Sequence, residues 1–129
     1  MLLILCVALI TACSATQQGT GDAVDEAFQH HRSNIQVTAS GTVDRILRDD
    51  TSGLPHQRFI VKLPSGQTVL IEHNTDVAPR VDNIRIGGAI DFSGEYIWND
   101  QGGLVHWTHH DPDGRHPAGW IKYDGRTYQ

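Results

Sequence analysis

Asn34 to Leu47 reads NIQVTASGTVDRIL, and this stretch decides the fold. Ile35, Val37 and Ala39 recur at every second position, the period of a half-buried strand. Past Gly41 the apolar phase holds at Val43 and then slips to Ile46. A glycine inside a strand, followed by a phase slip, marks a bulge or a bend. A long first strand that bends in this way belongs to a small barrel rather than a flat sheet.

Working outward, four further strands follow. His56–Leu63 (HQRFIVKL) alternates, with Phe59, Val61 and Leu63 on one side and His56, Arg58, Ile60 and Lys62 on the other. Pro64-Ser65-Gly66-Gln67 is a hairpin turn into the returning strand Thr68–Glu72, which His73-Asn74 closes. Thr75–Arg85, with Pro79, is a connection with room for one helical turn. Ala89–Trp98 is the fourth strand, with Phe92, Tyr96 and Trp98 assigned to the core. Asn99–Gly103 turns the chain into a fifth strand over Leu104–His110, and Pro112 forbids its extension. Trp120–Tyr128 is a C-terminal hairpin about Asp124-Gly125, with Tyr123 opposite Arg126 and Ile121 opposite Tyr128. Before the first strand, Val24, Ala27, Phe28 and His31 give one weakly apolar face to a short helix from Asp22 through Arg32, ended by His30-His31. The fold class is mainly β: a small OB-like five-stranded barrel with a short N-terminal helix and a C-terminal β-hairpin.

The 129 residues supply one core, with 39% hydrophobic residues. The formal charge of −5 argues against a nucleic-acid binder, which needs a basic stripe. Both cysteines, Cys6 and Cys13, precede the barrel, so the domain at residues 22–129 has neither a disulfide nor a thiolate metal site. Residues 1–12 (MLLILCVALITA) have the length of a signal-peptide core and are too short for a membrane span. Leu9-Ile10-Thr11-Ala12-Cys13 resembles a lipobox, which implies a lipoprotein signal peptide and lipidation of Cys13. No Lys or Arg follows Met1, where a signal peptide carries its positive region. Ser14 after the cysteine resembles the sorting pattern for the outer membrane, with the protein at its periplasmic face. Residues 13–21 read as a flexible tether.

His106 to Tyr128 (HWTHHDPDGRHPAGWIKYDGRTY) gathers four of the eight histidines and two of the three tryptophans. His106, His109, His110, Asp111 and His116 are the candidate ligands for a divalent metal such as zinc, with His73 or His56 as a neighbouring-strand complement. On one straight strand His109 would face away from His106 and His110, so convergence requires the strand to end near Thr108. His110 or His116 with Asp111 is the candidate acid–base pair, and Arg58 or Arg115 the anion clamp, for a metal-dependent hydrolase of phosphodiesterase or nuclease kind. The preferred reading is a ligand- or partner-binding module. Trp107, Trp120, Tyr123 and Arg115 form its surface, and its ligand is a saccharide, a peptide or an envelope protein.

The segments GTVDRIL, HQRFIVKLPSGQTVLIEHN, FSGEYIWN and GGLVHWTHHDPDGRHPAGWI, in this order, resemble a bacterial family known as domain of unknown function 3465. The resemblance runs from about Phe28 to Tyr128. It implies a secreted or lipid-anchored single-domain protein and transfers no activity and no catalytic residue. Gly87-Gly88 stands where the family pattern has Gly-Asp.

Overall fold

A computed structural model describes residues 22–129, so the expected signal peptide, lipidation at Cys13 and tether lie outside the described residues. Helix α1 (Asp22–Gln29) precedes β1 (Ile35–Ile46), β2 (His56–Lys62), β3 (Thr68–Asn74), β4 (Ala89–Ile97), β5 (Leu104–His106), β6 (Trp120–Tyr123) and β7 (Arg126–Tyr128). The sheet order is β1-β2-β3-β5-β4-β6-β7, and an additional β1–β4 pairing closes the first five strands into a barrel. β3 and β5 run parallel, while the other pairings are antiparallel. This is the expected OB-like barrel, extended by the hairpin β6–β7.

Strand β1 closes the barrel because it serves two partners. Its first part, Ile35–Thr42, pairs with β4, and Thr42–Ile46 pairs with β2. The register slips between Val43 and Arg45, the interval in which the apolar phase shifts. The change of partner falls at Thr42, paired with both strands, next to Gly41, where a Cβ would meet the Lys62 carbonyl. The extra residue beyond it bends β1 further along β2. Inward side chains then alternate as the sequence requires: Val37, Ala39 and Val43 on β1, Phe59 and Val61 on β2, Val69 and Ile71 on β3, all buried.

Helix α1 covers one end of the barrel with Val24 and Ala27, both buried. It ends at Gln29, sooner than Arg32. His31 takes φ 50°, Arg32 N–H bonds to Ala27 O at 2.9 Å and His31 N–H to Phe28 O at 3.3 Å. Those two bonds form a Schellman cap, with a histidine in the left-handed position usually given to glycine. Trp98 packs across this end, stacked on Phe28, tilted on His31, and donating its indole N–H to Phe28 O. The β3–β4 connection covers the other end. It opens with one helical turn (Ala78 N–H to Asn74 O, 3.2 Å), and the Gln57 amide clamps both backbone groups of Val81.

The hairpin register is the expected one: Ile121 pairs with Tyr128 and Tyr123 with Arg126. Asp124 and Gly125 have φ of 52° and 77°, the two left-handed residues of a tight hairpin turn. Two strands differ from expectation by more than one residue. β3 continues through His73 and Asn74, and β5 stops at His106 instead of His110.

Candidate functional site

The early end of β5 creates the site. Among the described residues, five other than glycine have positive φ: His31, Asn34, Asn83, Trp107 and Asp124. Histidine, asparagine and aspartate visit that region readily, whereas tryptophan does so at a cost of about 1–2 kcal/mol. Trp107, at φ 52°, turns the chain out of the sheet directly after His106. Its surroundings hold it there. The indole lies parallel to the His106 ring (centroids 4.7 Å apart, 14° between planes) and to the His116 ring (4.4 Å, 10°). His109 meets His116 edge-on at 5.2 Å.

The segment from Trp107 to Gly119 is therefore a compact loop with imidazoles at its centre. Thr108 is fully buried and pinned by His73 of β3. His73 Nε2–H donates to Pro79 O at 2.9 Å, which leaves Nδ1 to accept the Thr108 hydroxyl at 2.7 Å. Burial holds the His73 pKa below its ordinary value. The Pro79 carbonyl opposes that, and His109 and His56 add to it. His109, 4% exposed, is also held low by burial. Its Nδ1–H donates to the His110 carbonyl at 2.8 Å. The loop closes where Gly119 N–H bonds to His109 O at 2.9 Å. A Cβ at Gly119 would overlap the Trp107 carbonyl and press on the Ser93 carbonyl, so only glycine fits this crossing.

Asp111 organises the outer half of the loop. Its carboxylate accepts the backbone N–H groups of Asp113, Arg115 and His116, and Gly114 N–H closes a turn onto Asp111 O at 3.2 Å. Burial pushes the Asp111 pKa up, but those three N–H bonds and the His116 ring outweigh it and hold the group below the usual carboxylate value. His116 Nδ1–H donates to Pro117 O at 2.8 Å, and its Nε2 stands 3.8 Å from Asp111, beyond hydrogen-bond reach. His106 Nε2 lies 3.0 Å from Glu95 Oε1 on β4.

The candidate residues thus fall into three groups. His106, Trp107, His109, Asp111 and His116 come together, each already engaged by a ring, a carbonyl, a carboxylate or backbone N–H groups. His110 is exposed and enters the network through its backbone carbonyl. Arg115 is also exposed, 3.9 Å from Asp113. Arg58 belongs to a different surface. It lies on β2 opposite Glu72, donates from Nε to Arg48 O, and lines a recess with Leu47, Ile60, Leu70, Asn99 and Gln101. As a metal centre the five-residue set does not assemble: among the described residues no three His, Cys, Asp or Glu side chains are placed to hold one ion. As a ligand contact Tyr123 is corrected. It is 2% exposed, and its hydroxyl accepts Arg85 N–H at 3.1 Å. Its signal was its register, which puts it on the same face as Ile121.

Sequence reasoning passed over His73 as a structural pin. Val69, Ile71 and His73 share one strand phase, and that phase points inward. It also passed over the surface beside the loop. Trp120 pairs in register with Ser93 on β4, and Thr38 of β1 pairs with Ser93 from the other side. The Ser93 hydroxyl accepts Thr38 Oγ1–H at 2.9 Å and Gln36 Nε2–H at 3.1 Å. Lys122 Nζ sits 4.5 Å from the Trp120 ring centroid.

A comparison with curated proteins finds no match. The family model described as protein of unknown function (DUF3465) matches residues 3–129, nearly the whole chain. The chain belongs to the DUF3465 family.

Proposed function

We propose that this protein is a binding module of the bacterial envelope, carried by a lipid on Cys13, whose working surface is the C-terminal tryptophan- and histidine-rich side of the barrel. The observation that carries the reading is the state of the imidazoles. In the ring cluster His109 and His116 each give Nδ1–H to a backbone carbonyl, and His106 is engaged by Glu95. Groups tied down in this way build a rigid loop. That loop fixes the entry of β6 through Gly119 and so sets the position of Trp120. A half-buried indole on a polar sheet face, supported by a rigid loop, is the composition of a binding surface.

The hydrolase alternative draws on His110, Asp111, His116 and Arg58. Asp111 spends its carboxylate on three backbone N–H groups, His110 is solvent-facing, and Arg58 lies on β2. That arrangement supports a turn more than an acid–base pair.

The test is a titration of the purified protein with soluble polysaccharide, peptide and protein fractions of the cell envelope, read by calorimetry. The expected result is a saturable change that Trp120→Ala removes while the far-ultraviolet dichroism stays unchanged. Chelator-sensitive phosphodiester turnover abolished by His110→Ala would put the hydrolase in its place.

A further inference from the structure

We infer that the outward face of β1, β4 and β6 is a platform for a neutral oligosaccharide, with Trp120 as its stacking ring. The inference rests on the binding reading above and names its ligand class. The two ladders align Thr38, Ser93 and Trp120 in one cross-strand row, and Ser40, Asp91 and Lys122 in the next. Each row spans about 10 Å over three strands, and the rows stand about 7 Å apart. These side chains face away from the core, because their strand neighbours Ala39, Phe92 and Ile121 are fully buried. Trp120 is the one apolar side chain in either row.

A sugar ring offers a patch of C–H groups on one side and hydroxyls around its rim. An indole matches the first, and carboxylates, amides and hydroxyls match the second. Ser93 makes the polar part rigid. By accepting from both Thr38 and Gln36 it fixes two neighbours whose remaining acceptor positions are open to a ligand. Asp91 and Lys122 of the second row line a shallow recess of about 530 Å³ that runs on toward the Asp124-Gly125 turn.

The same chemistry disfavours the other occupants. Asp91 and Glu95 on this face outnumber Lys122, so a nucleic acid or an acidic glycan meets net repulsion. A peptide needs apolar pockets for its anchor side chains; the recess at Leu63 and Pro64 opens beyond Ser40 at the β1 edge, and none adjoins Trp120. The Lys122 ammonium above the indole shows that a cation reaches that ring. Such an exposed contact is weak, and a sugar displaces it at a cost on the order of a fewfold in affinity.

Calorimetry with the purified protein tests the inference, using linear tetramers of glucose, mannose and N-acetylglucosamine. An acidic aliphatic peptide and a thymidine oligomer serve as comparators. At least one tetramer is expected to bind saturably and to quench tryptophan emission. Trp120→Ala should weaken it at least tenfold, Asp91→Asn severalfold, and Glu72→Gln on β3 not at all. The Asp91→Asn arm stands on its own if Trp120→Ala does not fold. No binding of any tetramer, or binding indifferent to both substitutions, overturns the inference. Binding of the peptide or the thymidine oligomer alone, removed by Trp120→Ala, overturns the saccharide and leaves the binding module intact.

Discussion

Replacing His73 with alanine should release the loop that carries Trp107. The ring is fully buried and holds Pro79 O at 2.9 Å and the Thr108 hydroxyl at 2.7 Å. Leaving a buried polar partner without its bond costs about 1–3 kcal/mol, and two are left here. Emptying a ring-sized volume costs about 2–5 kcal/mol, a range that overlaps the first since the cavity could admit water. We expect a loss of about 4 kcal/mol in urea denaturation, a large share of the roughly 5–15 kcal/mol that holds a domain together. At about 4–8 °C per kcal/mol the thermal midpoint should fall by about 15–30 °C. The variant should also blunt the response to acid. The unfolded His73 takes its proton near pH 6.5 and the folded one only at lower pH. Between those two values the unfolded chain holds more protons, so wild-type stability falls as the pH drops below about 6.5. Removing His73 should cut that slope by up to about 1.4 kcal/mol per pH unit, the share of one proton. His109, depressed by the same burial, should keep part of the slope. A loss under about 1 kcal/mol, or an unchanged slope, would refute the assignment of His73 as the pin.

Gly119→Ala should destabilise the domain by about 1–3 kcal/mol or more by overpacking, because its Cβ would meet the Trp107 and Ser93 carbonyls. Thermal melts check it, and the change should be accompanied by altered tryptophan emission. Asp111→Ala should speed amide exchange at Asp113, Arg115 and His116, which lose their shared acceptor. Because the folded Asp111 pKa is depressed, its contribution is intact above about pH 4 and disappears as the pH falls through the lower folded value. Wild type and variant should therefore converge in stability at strongly acid pH. Cys13→Ser should abolish metabolic palmitate labelling of the protein, and a variant still labelled would end the lipid-anchor proposal.

Much of this architecture is written in local chemistry. The Asp124-Gly125 turn carries its own register, so Ile121 and Tyr128 meet as expected. The phase slip after Val43 is a covalent record of the bulge in the β1–β2 ladder, just past Thr42, where β1 passes from β4 to β2. The end of β5 is not recorded in this way. Trp107 and Thr108 favour extended backbone, and the left-handed turn at Trp107 follows from contacts with His116, Gly119 and His73, nine or more residues away in the chain. The histidine-rich segment is conspicuous in composition. Its role inverts on folding, because the imidazoles that resemble ligands spend their donors on carbonyls of their own loop. The polar face around Ser93 is spread over β1, β4 and β6, and no single stretch of sequence contains it.

We propose that the imidazole-built loop positions a binding face on β1, β4 and β6. Backbone amide shift mapping during titration with an envelope polysaccharide tests it most directly. Perturbations should cluster at Gln36–Ser40, Asp91–Glu95 and Trp120–Lys122. Shifts centred on Arg58, Ile60 and Leu70 across the barrel, or none at saturating ligand, would contradict it.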